Sequence, residues 1–141
     1  MSGYRNGVSI HAKGYPRLKC GPCRDQMIHR LVAAAYIGRD LDKSEEVHHR
    51  DADRRNPHFS NLMVLGSKDH GWVSAKQAWY MREKDRKERI EWDAFMAEKD
   101  KEFRDEVSSA RADGQPWQST RVDGEMQAEW DARQDARQNN S

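Results

Sequence analysis

Four side chains in the middle of the chain are of types that do chemistry together. They are the adjacent pair His48-His49, Asn61 twelve residues after His49, and His70 nine residues further on. An imidazole titrates near neutral pH and suits a general base. Imidazoles also hold divalent metals, which stabilise developing charge as Lewis acids, and a carboxamide can fix a ring through one of its nitrogens. Those are the needs of phosphodiester hydrolysis: a water must lose its proton, extra charge on the phosphate must be stabilised, and the leaving oxygen must be neutralised. Neighbouring residues on an extended strand point to opposite faces. His48 and His49 therefore divide the work, one facing a metal and the other the attacking water.

The elements that must position these groups are legible from periodicity and turn residues. Residues 1–29 read as hairpin-like: Gly14-Tyr15-Pro16-Arg17-Leu18 forms one arm, Cys20-Gly21-Pro22-Cys23 the turn, and Gln26-Met27-Ile28-His29 the return. Leu31 to Ile37 is apolar and Ala-rich and stops at Gly38, as a short buried helix does. From Glu45 to Leu65 the pattern is strand, polar loop, strand. Val47 precedes the paired histidines, Asp51, Asp53, Asn56 and Pro57 lie in the loop, and Leu62 to Leu65 resumes β character. Ser67 is placed to cap a helix that carries His70, although Gly71 weakens its first turn.

A long helix is expected over 72–112. Between Arg82 and Asp105, 17 of 24 residues are charged, and Glu83/Lys87, Asp85/Arg89 and Asp100/Arg104 are favourable i,i+4 pairs. Trp92, Met96, Phe103, Val107 and Ala110 make a thin apolar stripe that Lys99 interrupts, which argues against a sustained coiled coil. Gly114, Pro116 and Ser119 mark a linker, and a last short helix is expected within 123–137.

Composition bounds the rest. A chain of 141 residues that is 35% hydrophobic and 35% charged supports one modest domain with solvated extensions, and excludes a large two-domain enzyme. The net charge of +1 hides an asymmetry: residues 1–39 carry seven basic side chains against Asp25 alone. A basic half suits contact with a polyanion. Two cysteines cannot supply a disulfide framework, and the absence of a signal-like or membrane-length apolar run leads us to expect a soluble, intracellular protein with no membrane partner.

At Gly14-Tyr15, His29 to Ala35, Val47-His48-His49-Arg50-Asp51-Ala52-Asp53, Asn56, Asn61-Leu62 and His70, the chain resembles the His-Asn-His (HNH) endonucleases, in particular the phage and homing branch. The resemblance covers about Gly14 to His70. It implies an α+β protein with a ββα-metal core of the His-Me finger kind, preceded by a basic hairpin and followed by a long helical extension. It further implies a metal-dependent DNA endonuclease working in a bacterial or phage-infected cell, leaving 5′-phosphate and 3′-hydroxyl ends. By position, His49 resembles the general base, Asn61 the residue that orients it, and His70 the last metal ligand. His48 stands where the family often has Asp. Two imidazole ligands favour Zn²⁺, Mn²⁺ or Ni²⁺ over Mg²⁺. Ala52 stands where a Gly is frequent. The domain plan that follows is 1–13, a nuclease domain over 14–80, a charged helical extension over 81–112, and a linker with a short helix or tail over 113–141, as monomer or as homodimer through the helix.

Arg17, Lys19, Arg24, Arg30, Arg54 and Arg55 are the candidates for DNA phosphate contacts. Asp51 and Asp53 read as loop-stabilising. Two rival readings remain: a DNA-binding module without catalysis, and a thiol-disulfide oxidoreductase using Cys20 and Cys23. The second expects the cysteine pair to follow a buried strand and to open a helix, whereas Arg17-Leu18-Lys19 and Arg24-Asp25-Gln26 flank it.

Overall fold

The computed structural model describes residues 7–22, 24–82 and 86–139. The chain divides into two compact units, Met1–Val64 and Leu65–Ser141. The protein is a mixed α+β protein with small strand pairs and, among the described residues, four α-helices.

The first unit opens with a hairpin. Strand β1 (Val8–Ile10) pairs antiparallel with β2 (Pro16–Leu18) in the register Val8↔Leu18, Ser9↔Arg17, Ile10↔Pro16. The turn between them is closed by His11 N–H donating to Tyr15 O (2.7 Å) and Gly14 N–H to His11 O (2.8 Å), with Gly14 at φ +94°. The expected pairing across the Cys-Gly-Pro-Cys turn exists in reduced form: Leu18 N–H donates to Gln26 O, Asp25 N–H to Leu18 O, and Arg17 bridges Met27. The fuller partner of the 16–18 arm is β1, a three-residue strand whose pattern is too short to read. Cys20 is exposed in the turn, and Cys23 lies outside the described residues.

Helix α1 spans Ile28–Ile37, so it takes over Ile28 and His29 from the expected returning arm. It ends where the sequence indicates, at Gly38 in the left-handed region (φ +83°), whose N–H donates to Ala34 O. His29, Ala33 and Ile37, at i, i+4 and i+8, form its buried face. Strand β3 (Glu45–His49) is tied to this helix and the turn after it. Arg30 Nη1 donates to Glu45 O (3.1 Å), and Arg39 grips the Glu45 carboxylate through both nitrogens (2.7 and 2.9 Å). Strand β4 (Leu62–Gly66) pairs with β3 and is preceded by a 3₁₀ turn, Phe59–Asn61. His58, unassigned from sequence, caps that turn: its Nδ1 accepts from Ser60 N–H at 3.2 Å.

The second unit is helical. The helix expected over 72–112 corresponds to α2 (Ser67–Arg82) and α3 (Arg86–Ala112) on either side of residues 83–85, and α4 (Glu125–Asn139) follows. Residues 83–85, and with them the Glu83/Lys87 and Asp85/Arg89 pairings, lie outside the described residues. The Asp100/Arg104 pair forms at 3.3 Å. Lys99 does not break the apolar stripe. It is buried within it, beside the Phe95 ring, with its ammonium on Glu129 (2.6 Å) of α4 and Glu102 (3.3 Å). Trp92, Phe95, Phe103, Val107, Trp117, Met126 and Trp130 form the core there.

The cap of α2 comes from a distant residue. The Asp123 carboxylate accepts from Lys68 N–H (2.9 Å) and Asp69 N–H (3.0 Å), satisfying two of the helix's orphan donors. Gly66 makes room for it, since a Cβ at that position would lie 2.4 Å from Asp123 Cγ. Among the described residues, no helix is long and apolar enough to cross a membrane.

Candidate active site

The histidine pair closes β3, and both rings are buried: His48 is 5% exposed and His49 6%. Directly after them the chain leaves the strand for a polar loop, and that loop is organised around Asn61. Arg50 N–H donates to Asn61 O (2.8 Å), and Asp51 N–H donates to Asn61 Oδ1 (3.0 Å). Asn61 Nδ2 in turn donates to Asp51 Oδ1 (2.9 Å) and to Asn56 O (3.0 Å). Both amide hydrogens are thus committed to the loop, and the carboxamide fastens the backbone that follows His49 rather than bonding the ring itself. Asn61 itself is 8% exposed, while Asp51 is exposed and Asn56 half-buried, so these bonds are partly sheltered from water.

Asp51 is the second node. Its carboxylate accepts from Asn61 Nδ2, Asp53 N–H (2.8 Å) and Asn56 Nδ2 (2.9 Å). Burial works to raise this carboxyl. The bonds from Asn56, Asp53 and Asn61, with a smaller attraction from His49, outweigh it and hold the group below the usual carboxylate range. Asp53 accepts from Arg55 N–H (2.9 Å). Both aspartates therefore have a loop-building geometry. Ala52, between them, sits at φ +61°, a conformation that favours glycine.

Two further rings pack near His49. Tyr15, from the turn before β2, lies 4.5 Å from the His29 ring centroid and 5.6 Å from that of His49; His29 and His49 are 5.1 Å apart. The Arg54 guanidinium covers Tyr15 at 5.3 Å, and its Nη1 donates to Lys13 O (2.7 Å). Sequence does not mark Tyr15 or His29 as site residues: both stand within stretches that resemble the HNH endonucleases, but nothing in their spacing indicates that their rings meet.

The candidate phosphate contacts separate into two groups. Lys19, Arg24 and Arg55 are exposed, and Arg17 is half-buried on β2. Arg30 and Arg54 spend a guanidinium nitrogen on the carbonyls of Glu45 and Lys13. His70 belongs to the second unit, half-buried in the first turn of α2, which follows β4 without an intervening loop. Among the described residues, no three His, Cys, Asp or Glu side chains cluster to hold a metal. Imidazole nitrogens as a class suit borderline divalent ions.

A pair of short strands, two buried histidines at the end of one, and an amide-fastened loop between them make up the candidate site. Residues 26–71, from just before α1 into α2, match the family model of the HNH endonuclease. No curated protein and no solved structure matches the chain. The matched stretch contains His29, His48, His49, Asp51, Asn56, Asn61 and His70. The oxidoreductase reading has no counterpart in it. Cys20 precedes the matched stretch and lies in a turn, and the next helix begins eight residues later, at Ile28.

Proposed function

We propose that the protein is a metal-dependent DNA endonuclease with His49 as the general base. The observation that carries this reading is the fastening of the backbone directly after a buried histidine by Asn61, inside the stretch that matches the HNH model. His49 takes the proton of the attacking water. The Asp51 carboxylate, held ionised by the loop, attracts the charge that His49 then acquires. Asn61 acts through the backbone, setting where His49 sits. His48 and His70 would hold the divalent ion, which stabilises charge on the phosphate and the leaving oxygen when bound. Lys19, Arg24 and Arg55 are exposed cations of the same unit, suited to the DNA backbone.

The test is conversion of supercoiled plasmid to open circle, with Mn²⁺ or Mg²⁺ and with a chelator. Cleavage is expected to require the metal and to be lost in His49→Ala, while plasmid binding is retained. Cleavage that survives in His49→Ala at the original rate refutes the assignment. A protein that binds plasmid and never cuts it, with any divalent ion, is the non-catalytic module instead.

A further inference from the structure

The fastening of the His49 backbone does not by itself orient the ring. The last torsion of a histidine side chain is broad, so an imidazole on a fixed backbone still samples many orientations. Contacts on the ring are needed to select one. Tyr15 and His29 supply them from two separate segments, the turn before β2 and the first turn of α1. The three centroids form a closed triangle with sides of 4.5, 5.1 and 5.6 Å and interplanar angles of 33°, 57° and 39°. These separations are in the range of attractive aromatic pairs.

The cluster is held from outside as well. Arg54, in the loop after β3, covers Tyr15 and is anchored to Lys13 O, so the loop that leaves His49 returns to press on the ring that packs against His49. The elements carrying Tyr15 and His29 are themselves fixed, by the β1–β2 pairing and by the Arg30 bond to Glu45.

We propose that Tyr15 and His29 are positioning residues that set the orientation of the His49 imidazole through ring packing. This rests on the reading of His49 as the base. Neither residue is assigned a proton or a metal; what each contributes is an aromatic face.

The experiment compares His29→Leu with His29→Phe in plasmid nicking under Mn²⁺, at saturating and subsaturating plasmid. Leucine fills space without a ring, and phenylalanine keeps one. His29→Leu is expected to lower kcat by about tenfold to 10²-fold, as misplacement of a reacting group does, with KM for plasmid unchanged. His29→Phe is expected to restore kcat to within about threefold of the parent, given that the ring alone is needed. A His29→Leu protein with parental kcat overturns the proposal. So does a His29→Phe protein as slow as His29→Leu, because a ring nitrogen would then be what matters, and so does an effect confined to KM. If His29→Leu does not fold, Tyr15→Leu and Tyr15→Phe are read by the same criteria. His49→Ala run alongside separates the two failures: if it cuts plasmid like the parent, the base assignment has failed, whereas His49-dependent cleavage that ignores the ring variants sinks only this inference.

Discussion

Asn61→Ala removes three hydrogen bonds at once: one accepted from Asp51 N–H, one donated to the Asp51 carboxylate, and one donated to Asn56 O. The neutral bonds are worth about 0.5–1.5 kcal/mol each and the one to a charged group about 1.5–3 kcal/mol. Asp51 is exposed and Asn56 half-buried, so water replaces part of what is lost. The expected destabilisation of the first unit is roughly 2–3 kcal/mol. All five tryptophans, at 72, 79, 92, 117 and 130, belong to the second unit, so tryptophan fluorescence does not report this loss. The suitable probe is amide hydrogen exchange at Arg50 and Asp51, whose N–H groups both bond to Asn61. In nicking assays kcat is expected to fall on the order of 10²-fold as the end of β3 loosens. The decisive comparison is a double-mutant cycle with Asp51→Ala. Because the two side chains share a bond, their effects should fall short of additivity by about 1–2 kcal/mol. Strict additivity, or parental exchange at both amides in Asn61→Ala, refutes the loop-fastening role.

Two further outcomes are expected. Ala52→Gly relieves a left-handed conformation that costs an L-residue about 1–2 kcal/mol, while adding about 0.4–1 kcal/mol of unfolded-state freedom. Protection of the loop amides should therefore rise by about 0.5 kcal/mol, and reduced protection would contradict the strain argument. Glu45 is held below its ordinary range first by the Arg39 hydrogen bonds, against desolvation, with help from Asp42 N–H and from Arg39 and Arg30 charge. A depressed folded value means the stabilisation is complete above about pH 4.3, the unfolded value, and fades as pH falls through the lower folded one. Glu45→Gln should cost about 2 kcal/mol at pH 7 and progressively less in acid, measured by exchange at β3 amides. An equal cost at pH 7 and pH 3 would show that the ion pair contributes nothing.

What the sequence discloses about this molecule follows the range of the interactions involved. The end of α1 is local, because Ile37 is the last buried position and Gly38 alone adopts the left-handed turn without a Cβ penalty. The strand, loop, strand arrangement around His48-His49 is local too, since Val47 and Leu62 to Leu65 are bounded by turn residues. The start of α1 is not local. Met27 gives no side-chain cap, and Ile28-His29 continues an extended pattern as readily as it opens a helix. The cap of α2 shows the same limit. Ser67 is the obvious candidate by type, yet the bonds come from Asp123, more than fifty residues away, through a space that only Gly66 leaves open. Lys99 reads as an interruption because the carboxylate that lets it be buried, Glu129, stands thirty residues downstream. The types and order of the site residues are legible; the pairing of Tyr15 with His29 and His49 is a contact among three segments, which no spacing encodes.

The two units are built on different terms, and this bears on why the candidate site is where it is. Among the described residues of the first unit, Pro16, Ala33, Ile37, Val47, Leu62, Met63 and Val64 are the buried apolar residues, alongside buried Ser9, His29, Glu45, His48, His49 and Asn61. Among the described residues of the second, ten large or branched apolar residues are buried, alongside Asp69, Lys99 and Asp100. Burial of apolar surface is the main source of stability, whereas buried polar groups contribute only when every bond is made. In the first unit the bonds made by Glu45 and Asn61 therefore act together with hydrophobic burial in fixing its form. The Arg39–Glu45 grip and the Asp51–Asn56–Asn61 network fix how β3 enters and leaves the histidine pair. Replacing that polar set with well-packed apolar residues would be neutral or stabilising for a domain whose only task was to fold. Its presence at both ends of His48-His49 is what a reactive site requires, a fixed backbone around groups that must stay polar.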